Sequence, residues 1–280
     1  MNSKLITSEE QLRTILPNIF ATVKGETSLF DKLTPFLESA EQWVKNTFTA
    51  ESPYNTIAGY ADTNTTKTLT ARIVIAEAYR SAIPSLDLVL TPNGFGVVSN
   101  SNVAPASKQR VDRLIDAMVE QRDGDIELLI PLLPSVSKWK TSEQYSWFAA
   151  TLFPNIDVVK TLTDTPTNRW NKFLELRPQI IDIESSLAED FFSHELMTAL
   201  RQRAAANELS TTDLRIVNII RSQVISVLKG TPINMRQMID LVNHIRSNAS
   251  AYPEWHTSAT SKLFSPPIFT NKKTSSGYFF

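Results

Sequence analysis

Apolar residues recur at three- and four-residue intervals along almost the whole of this 280-residue chain, and the stretch that departs from that rhythm is Leu86 to Pro105, LDLVLTPNGFGVVSNSNVAP. A chain so patterned must bury one stripe of each helix against its neighbours, which directs it to a mainly α-helical fold with one non-helical insert. Within the insert, Leu86, Leu88 and Leu90 alternate with Asp87 and Val89, and Val97 and Val98 follow a Pro92-Asn93-Gly94 turn. Proline, asparagine and glycine in that order suit a type I turn, so a β-hairpin is predicted over 86–100 with Phe95 at its tip. A lone two-stranded ribbon is marginal in water and needs helices beneath it or a partner molecule. Asn93-Gly94-Phe95-Gly96 lacks the Lys-Ser/Thr of a phosphate-binding loop.

The helices announce themselves by their ends. Thr7 and Glu10 read as a capping box, and Thr34-Pro35 as a cap and first position of a helix reaching Phe48. Glu51 to Asn64 reads as a connection tacked down by Tyr54, Ile57 and Tyr60. Thr66 to Ile83 is broadly apolar, as a central helix contacted from two sides would be, and Pro84 is expected to end it. Val111, Leu114, Ile115, Met118 and Val119 form the expected buried face of a helix that Gly124 would break, and Thr141 with Gln144 suggests another capping box. Thr165-Pro166 opens the second half, Pro178 starts a long helix, and Ser210–Leu228 and a helix after Thr231-Pro232 follow.

The halves resemble each other. At a shift of 143 residues Leu33 and Pro35 meet Leu176 and Pro178, Phe48 meets Phe191, and Arg72-Ile73-Val74 meets Arg215-Ile216-Val217. Past the insert the shift shortens to 124, where Leu114-Ile115-Asp116 meets Met238-Ile239-Asp240. Leu152-Phe153-Pro154 resembles Leu263-Phe264-Ser265-Pro266, and the aromatic segments near Trp147 and Trp255 would close each copy. The expected architecture is mainly α: two related helical-bundle units from an internal duplication, at 1–164 and 165–263, with the hairpin inserted in the first and an extended aromatic arm at 264–280.

Catalytic signals are sparse. Lys and Arg number 28 against 29 Asp and Glu, so no global field selects nucleic acid, and the absence of cysteine removes disulfide, thiolate and cysteine–metal chemistry. His194, His244 and His256 fall at no metal-ligand spacing. Asp112, Asp116 and Glu120 alternate with Lys108, Arg110, Arg113 and Arg122, which reads as a salt-bridged solvent face. No nucleophile elbow, Walker or dinucleotide motif occurs. The opening MNSKLITSEEQLRTIL lacks the apolar core of a signal peptide, and no run approaches membrane-helix length. No catalytic residue, cofactor or metal is therefore expected. Arg201, Arg203, Arg215 and Arg221 are the nearest approach to a basic patch, and they leave a nucleic-acid-binding accessory protein as the alternative.

The end of the sequence, Gly277-Tyr278-Phe279-Phe280, carries large aromatics that need burial in cis or on a neighbour. With TPNGFGVVSNSNVAPAS at 91–107 and the helix after it, this tail resembles a family of uncharacterised proteins of Bacteroidetes genomes and of their phages and prophages. The resemblance implies a virion role, as a head–tail connector or adaptor assembled in the host cytoplasm into a ring, beside portal or tail components. The duplication departs from the small single-bundle connector pattern. The expected protein contacts are Leu88, Leu90, Asn93, Phe95 and Val97 in the hairpin and Phe264, Phe269, Tyr278, Phe279 and Phe280 in the arm.

Overall fold

A computed structural model describes residues 3–16, 27–86, 88–91, 94–97, 107–163 and 167–264. Among them the chain is mainly α-helical and divides into two compact units, residues 1–178 with 201–210, and residues 179–200 with 211–280.

The first unit begins with α1 (Glu9–Ile15), α2 (Leu29–Val44), a π-helical turn (Lys45–Thr49) and α3 (Glu51–Ala58). Next come α4 (Thr65–Leu86), strands β1 (Leu88–Thr91) and β2 (Gly94–Val97), and α5 (Lys108–Leu129). Short 3-10 turns at Ile130–Ser135 and Trp139–Thr141 lead to α6 (Glu143–Phe148), α7 (Val158–Leu162) and the start of α8 (Arg169–Leu187). The breadth of apolar surface on α4 is used as its pattern implies. Ile73, Val74, Ile75, Ala76 and Ala78 are all buried, and α2 and α5 both pack against the helix. The second unit contains the end of α8, a second π-helical turn (Ala188–Phe192), the start of α9 (His194–Ala205), α10 (Thr211–Leu228), α11 (Met235–Ser247), α12 (Pro253–His256) and α13 (Ala259–Leu263).

The expected architecture needs correction in several places. The hairpin predicted over 86–100 does not exist at that length: Leu86 belongs to α4, and the β structure among the described residues is one antiparallel ladder of four pairs, from Leu88 with Val97 to Thr91 with Gly94. The division between units falls inside α8 at Pro178, and residues 201–210 rejoin the first unit. Neither Pro84 nor Gly124 ends a helix. Pro84 lies in the last turn of α4, where its missing N–H costs the helix one bond, to the carbonyl four residues earlier. At Gly124 the cost of about 1 kcal/mol against alanine is outweighed by ion pairs on both sides of it. Pro35 and Pro178 likewise lie inside their helices rather than at first positions, and Ser28 caps α2 in place of Thr34. The other caps move by one residue. Ser8 rather than Thr7 accepts from Gln11 N, and Ser142 rather than Thr141 accepts from Tyr145 N.

The two units share one construction. In each, a long helix widens into a π-turn that ends at a residue of positive φ, Ala50 (φ 66°, ψ 168°) or Ser193 (φ 64°, ψ 152°), and a new helix leaves at once. That break strips the last carbonyls of the turn of their helical donors. The indole of Trp139 donates to the Phe48 carbonyl at 2.7 Å, and the indole of Trp255 donates to the Phe191 carbonyl at 2.9 Å. Both indoles are fully enclosed. Their surroundings repeat as well. Ser142 Oγ donates to the Trp139 carbonyl and caps α6, while Ser258 Oγ donates to the Trp255 carbonyl and caps α13. The repeat is therefore WKTS at 139–142 against WHTS at 255–258. Trp139, and not Trp147, is the counterpart of Trp255, and this pairing replaces the expected match between Leu152-Phe153-Pro154 and the segment at Leu263.

Replacing either indole by phenylalanine keeps most of the buried area and orphans one carbonyl, so W139F and W255F should each lose about 1–3 kcal/mol in denaturant unfolding. Wild-type stability for both would show that the bond contributes nothing. Because the conformation of Ala50 is one that glycine alone adopts without strain, A50G should raise stability by about 1 kcal/mol where glycine ordinarily lowers it. A loss of stability would remove the strain from the account.

Candidate functional site

Burial along α5 is uneven. From Met118 to Leu129 the helix buries Met118, Arg122, Asp123, Asp125, Ile126 and Leu129, whereas none of Lys108 to Ala117 is buried. Those ten residues amount to about 15 Å of helix. Their apolar members, Val111, Leu114 and Ile115, are at most half-buried, so the face expected to lie inside the core is largely outside it. The second unit shows the contrast. Met238, the counterpart of Leu114, is 0% exposed, whereas Leu114 is 38% exposed. The link between α10 and α11 is 229–234, whereas 87–107 joins α4 to α5. The first unit therefore carries a distal helical hairpin that the shared construction does not require: the end of α4, where Ala82 and Ile83 are buried, the insert, and the unburied start of α5.

Of the expected contact residues, Leu88 and Leu90 in β1 pair across the ladder with Val97 and Phe95 in β2. Asn93, Phe269, Tyr278, Phe279 and Phe280 lie outside the described residues. Phe264 is half-buried at the end of α13. Its ring lies 6.3 Å from that of Trp255, and its carbonyl accepts from Arg246 at 3.1 Å. The structure pairs the described strand residues through the backbone ladder and ties Phe264 into the second unit.

Beneath the distal hairpin lies a set of buried charges that corrects the expected solvent face: Arg122, read as part of that face, is 4% exposed. The buried Arg122 guanidinium spans Glu77 of α4 at 2.7 Å and its neighbour Asp123 at 2.7 Å, and lies over the Trp43 ring at 5.6 Å. Asp123 turns its other oxygen to the backbone N–H of Trp170, at 3.2 Å, and so neutralises the positive end of α8. Arg80 also pairs with Glu77. Asp125 pairs with Arg72, and Glu127 pairs with both Arg169 and Lys160. Burial alone would raise the Glu77 carboxyl, but Arg80 and Arg122 outweigh it and hold its pKa below the ordinary value. Burial does raise Asp125, and Arg72 offsets it only in part. The signal for this set was visible in the run Arg122-Asp123-Gly124-Asp125-Ile126-Glu127, whose alternating charges at helix spacing cannot all face solvent.

The chemistry this arrangement offers is adhesive. A cleft of about 880 Å³ opens beside α1, with Lys67 and Arg72 on its wall, but Lys67 is held by Asp62 at 2.8 Å and Arg72 by Asp125. Among the described residues no three His, Asp or Glu side chains converge as a metal site, and no helix is long and apolar enough to cross a membrane. His244 lies against Asn248, and His256 faces the Ile245 carbonyl. Arg72 meets Asp125, while its counterpart Arg215 is exposed, so the matched arginines do not share a role.

Glu77 sets an acid limb. Its carboxyl binds a proton less readily folded than unfolded, so its stabilisation is present above the unfolded value near 4.5 and drains away as pH falls through the lower folded value. E77Q should be less stable at neutral pH by about 1–3 kcal/mol, since Arg122 loses a partner, and should lose less further stability on acidification. Parallel acid limbs for E77Q and wild type would assign the titration elsewhere.

Comparison with known proteins gives one family. The model of a family of unknown function (DUF6712) matches residues 17–149, a stretch that takes in the first π-turn, the insert and Trp139. No curated protein and no solved structure matches the chain.

Proposed function

We propose that the protein is a non-enzymatic structural subunit of a phage virion, of the head–tail connector or adaptor kind, that joins to its neighbours through the distal α4–α5 hairpin with its insert and through the arm at 264–280. One observation carries the reading. The second unit completes the same π-turn and tryptophan construction with a link of 229–234, so the insert at 87–107 and the exposed start of α5 serve something other than folding. A two-stranded ribbon, and the unburied Val111, Leu114 and Ile115 of α5, gain stability when a neighbour covers them. The resemblance of the segment at 91–107 and of the aromatic tail to Bacteroidetes phage and prophage proteins supports a place in the virion, with further copies of this chain and portal or tail components as partners.

The test is the mass in solution, by light scattering, of the intact chain and of a version in which 87–107 is replaced by the Lys229–Asn234 link. The intact chain should be an oligomer, and the shortened chain a monomer with the same helical circular dichroism and a similar melting temperature. An intact chain that stays monomeric, or a shortened chain that assembles equally well, would overturn the proposal.

A further inference from the structure

The first unit holds a second surface that its fold does not require. A groove of about 400 Å³ is lined by Trp43, Asn46, Gln144, Trp147, Trp170 and the 41% exposed Leu174. The indoles of Trp147 and Trp170 lie 5.9 Å apart at 44°, and Trp43 meets Phe48 edge-on at 5.2 Å. One face of Trp147 is closed by the Arg177 guanidinium 3.8 Å away, which fixes the ring. Gln144 is fixed too, because its amide donates to the Asn46 carbonyl at 3.0 Å. The groove is therefore a rigid aromatic trough with amide groups on its rim.

The second unit shows that the trough is not part of the shared construction. At a shift of 143 the counterpart of Trp43 is Ser186, and at a shift of 116 the counterpart of Trp147 is Leu263, which is 77% exposed. The same π-turn is held by the same tryptophan bond without either indole. An aromatic lining kept by one copy and dispensable to the other marks a binding surface rather than a folding requirement.

We infer that this groove receives the arm of a second copy of the chain, through Ser265-Pro266-Pro267-Ile268-Phe269. Aromatic-lined grooves with polar rims take polyproline II segments, because such a segment loses little entropy on docking and its prolines stack on the rings. Within 265–280 the sequence supplies one such element, the Pro266-Pro267 pair, followed by Ile268 and Phe269 to fill the trough. Charge agrees. The groove lining includes the exposed Glu143 carboxylate, the cations behind it, Arg177 and Arg122, lie over the rings of Trp147 and Trp43, and the arm carries Lys272 and Lys273 and no Asp or Glu. The inference rests on the assembly reading above and adds the receptor for the arm.

The test is a photo-crosslinking amino acid at Phe269 of the full chain, irradiated in a mixture of isotopically light and heavy copies and analysed by mass spectrometry. The expected crosslinks join position 269 of one isotope to groove residues 143–147 or 170–174 of the other. Leu174→Arg, on an exposed position, should lower their yield about tenfold while leaving the helical signal unchanged. Crosslinks confined to one isotope, crosslinks to any other surface, an absence of crosslinks, or full yield from L174R would overturn the inference. An oligomer whose arm crosslinks elsewhere leaves the assembly reading standing; a light-scattering monomer removes that reading as well.

Discussion

The bond from a buried tryptophan N–H to a carbonyl at the end of a π-turn is the constraint on which both units depend. A helix that must stop inside a protein leaves acceptors that water cannot reach, and each unmet acceptor costs on the order of 1–3 kcal/mol. Here the helix also reverses through a residue of positive φ, which removes the next turn of donors. Trp139 and Trp255 answer both needs at once, because an indole brings a large apolar surface and a single donor. In the first unit Phe48, Phe148 and Trp170 stack around the same point, so the aromatic core is centred on the end of α2.

The charges work to a related end. Arg122, Glu77 and Asp123 lie where a hydrocarbon core would be expected, and the desolvation they suffer is offset because each faces an opposite charge or a helix end. They bind α4, α5 and the start of α8, and so fix the base from which the distal half of the α4–α5 pair extends.

The projecting hairpin and the indole groove share a logic. Each belongs to the first copy, each lacks a counterpart in the second, and neither is needed for the common construction. The second unit does without either, with its short link and with Ser186 and Leu263 at the matching places.

Helix periodicity placed most of the helices, because it is a property of neighbours along the chain, although Glu51–Asn64 read as a connection where α3 forms; ordered matches such as Pro35 with Pro178 and Phe48 with Phe191 suggested a repeat. The four-letter echo WKTS and WHTS was equally present in the sequence, but short polar words carry little weight until a hydrogen bond gives them meaning. Tertiary structure alone decided the rest. Gly124 and Pro84 have strong local preferences, and packing overrode them where ion pairs or a nearby helix end made the cost small. Leu114 and Met238 occupy matching places on similar helices, yet one is exposed and the other enclosed, since burial depends on what lies opposite. What the sequence determined by itself was the mainly helical character of the chain and most of its helices. Which faces stay open was settled by the packing of one element on the next, because a face is buried only where another element covers it.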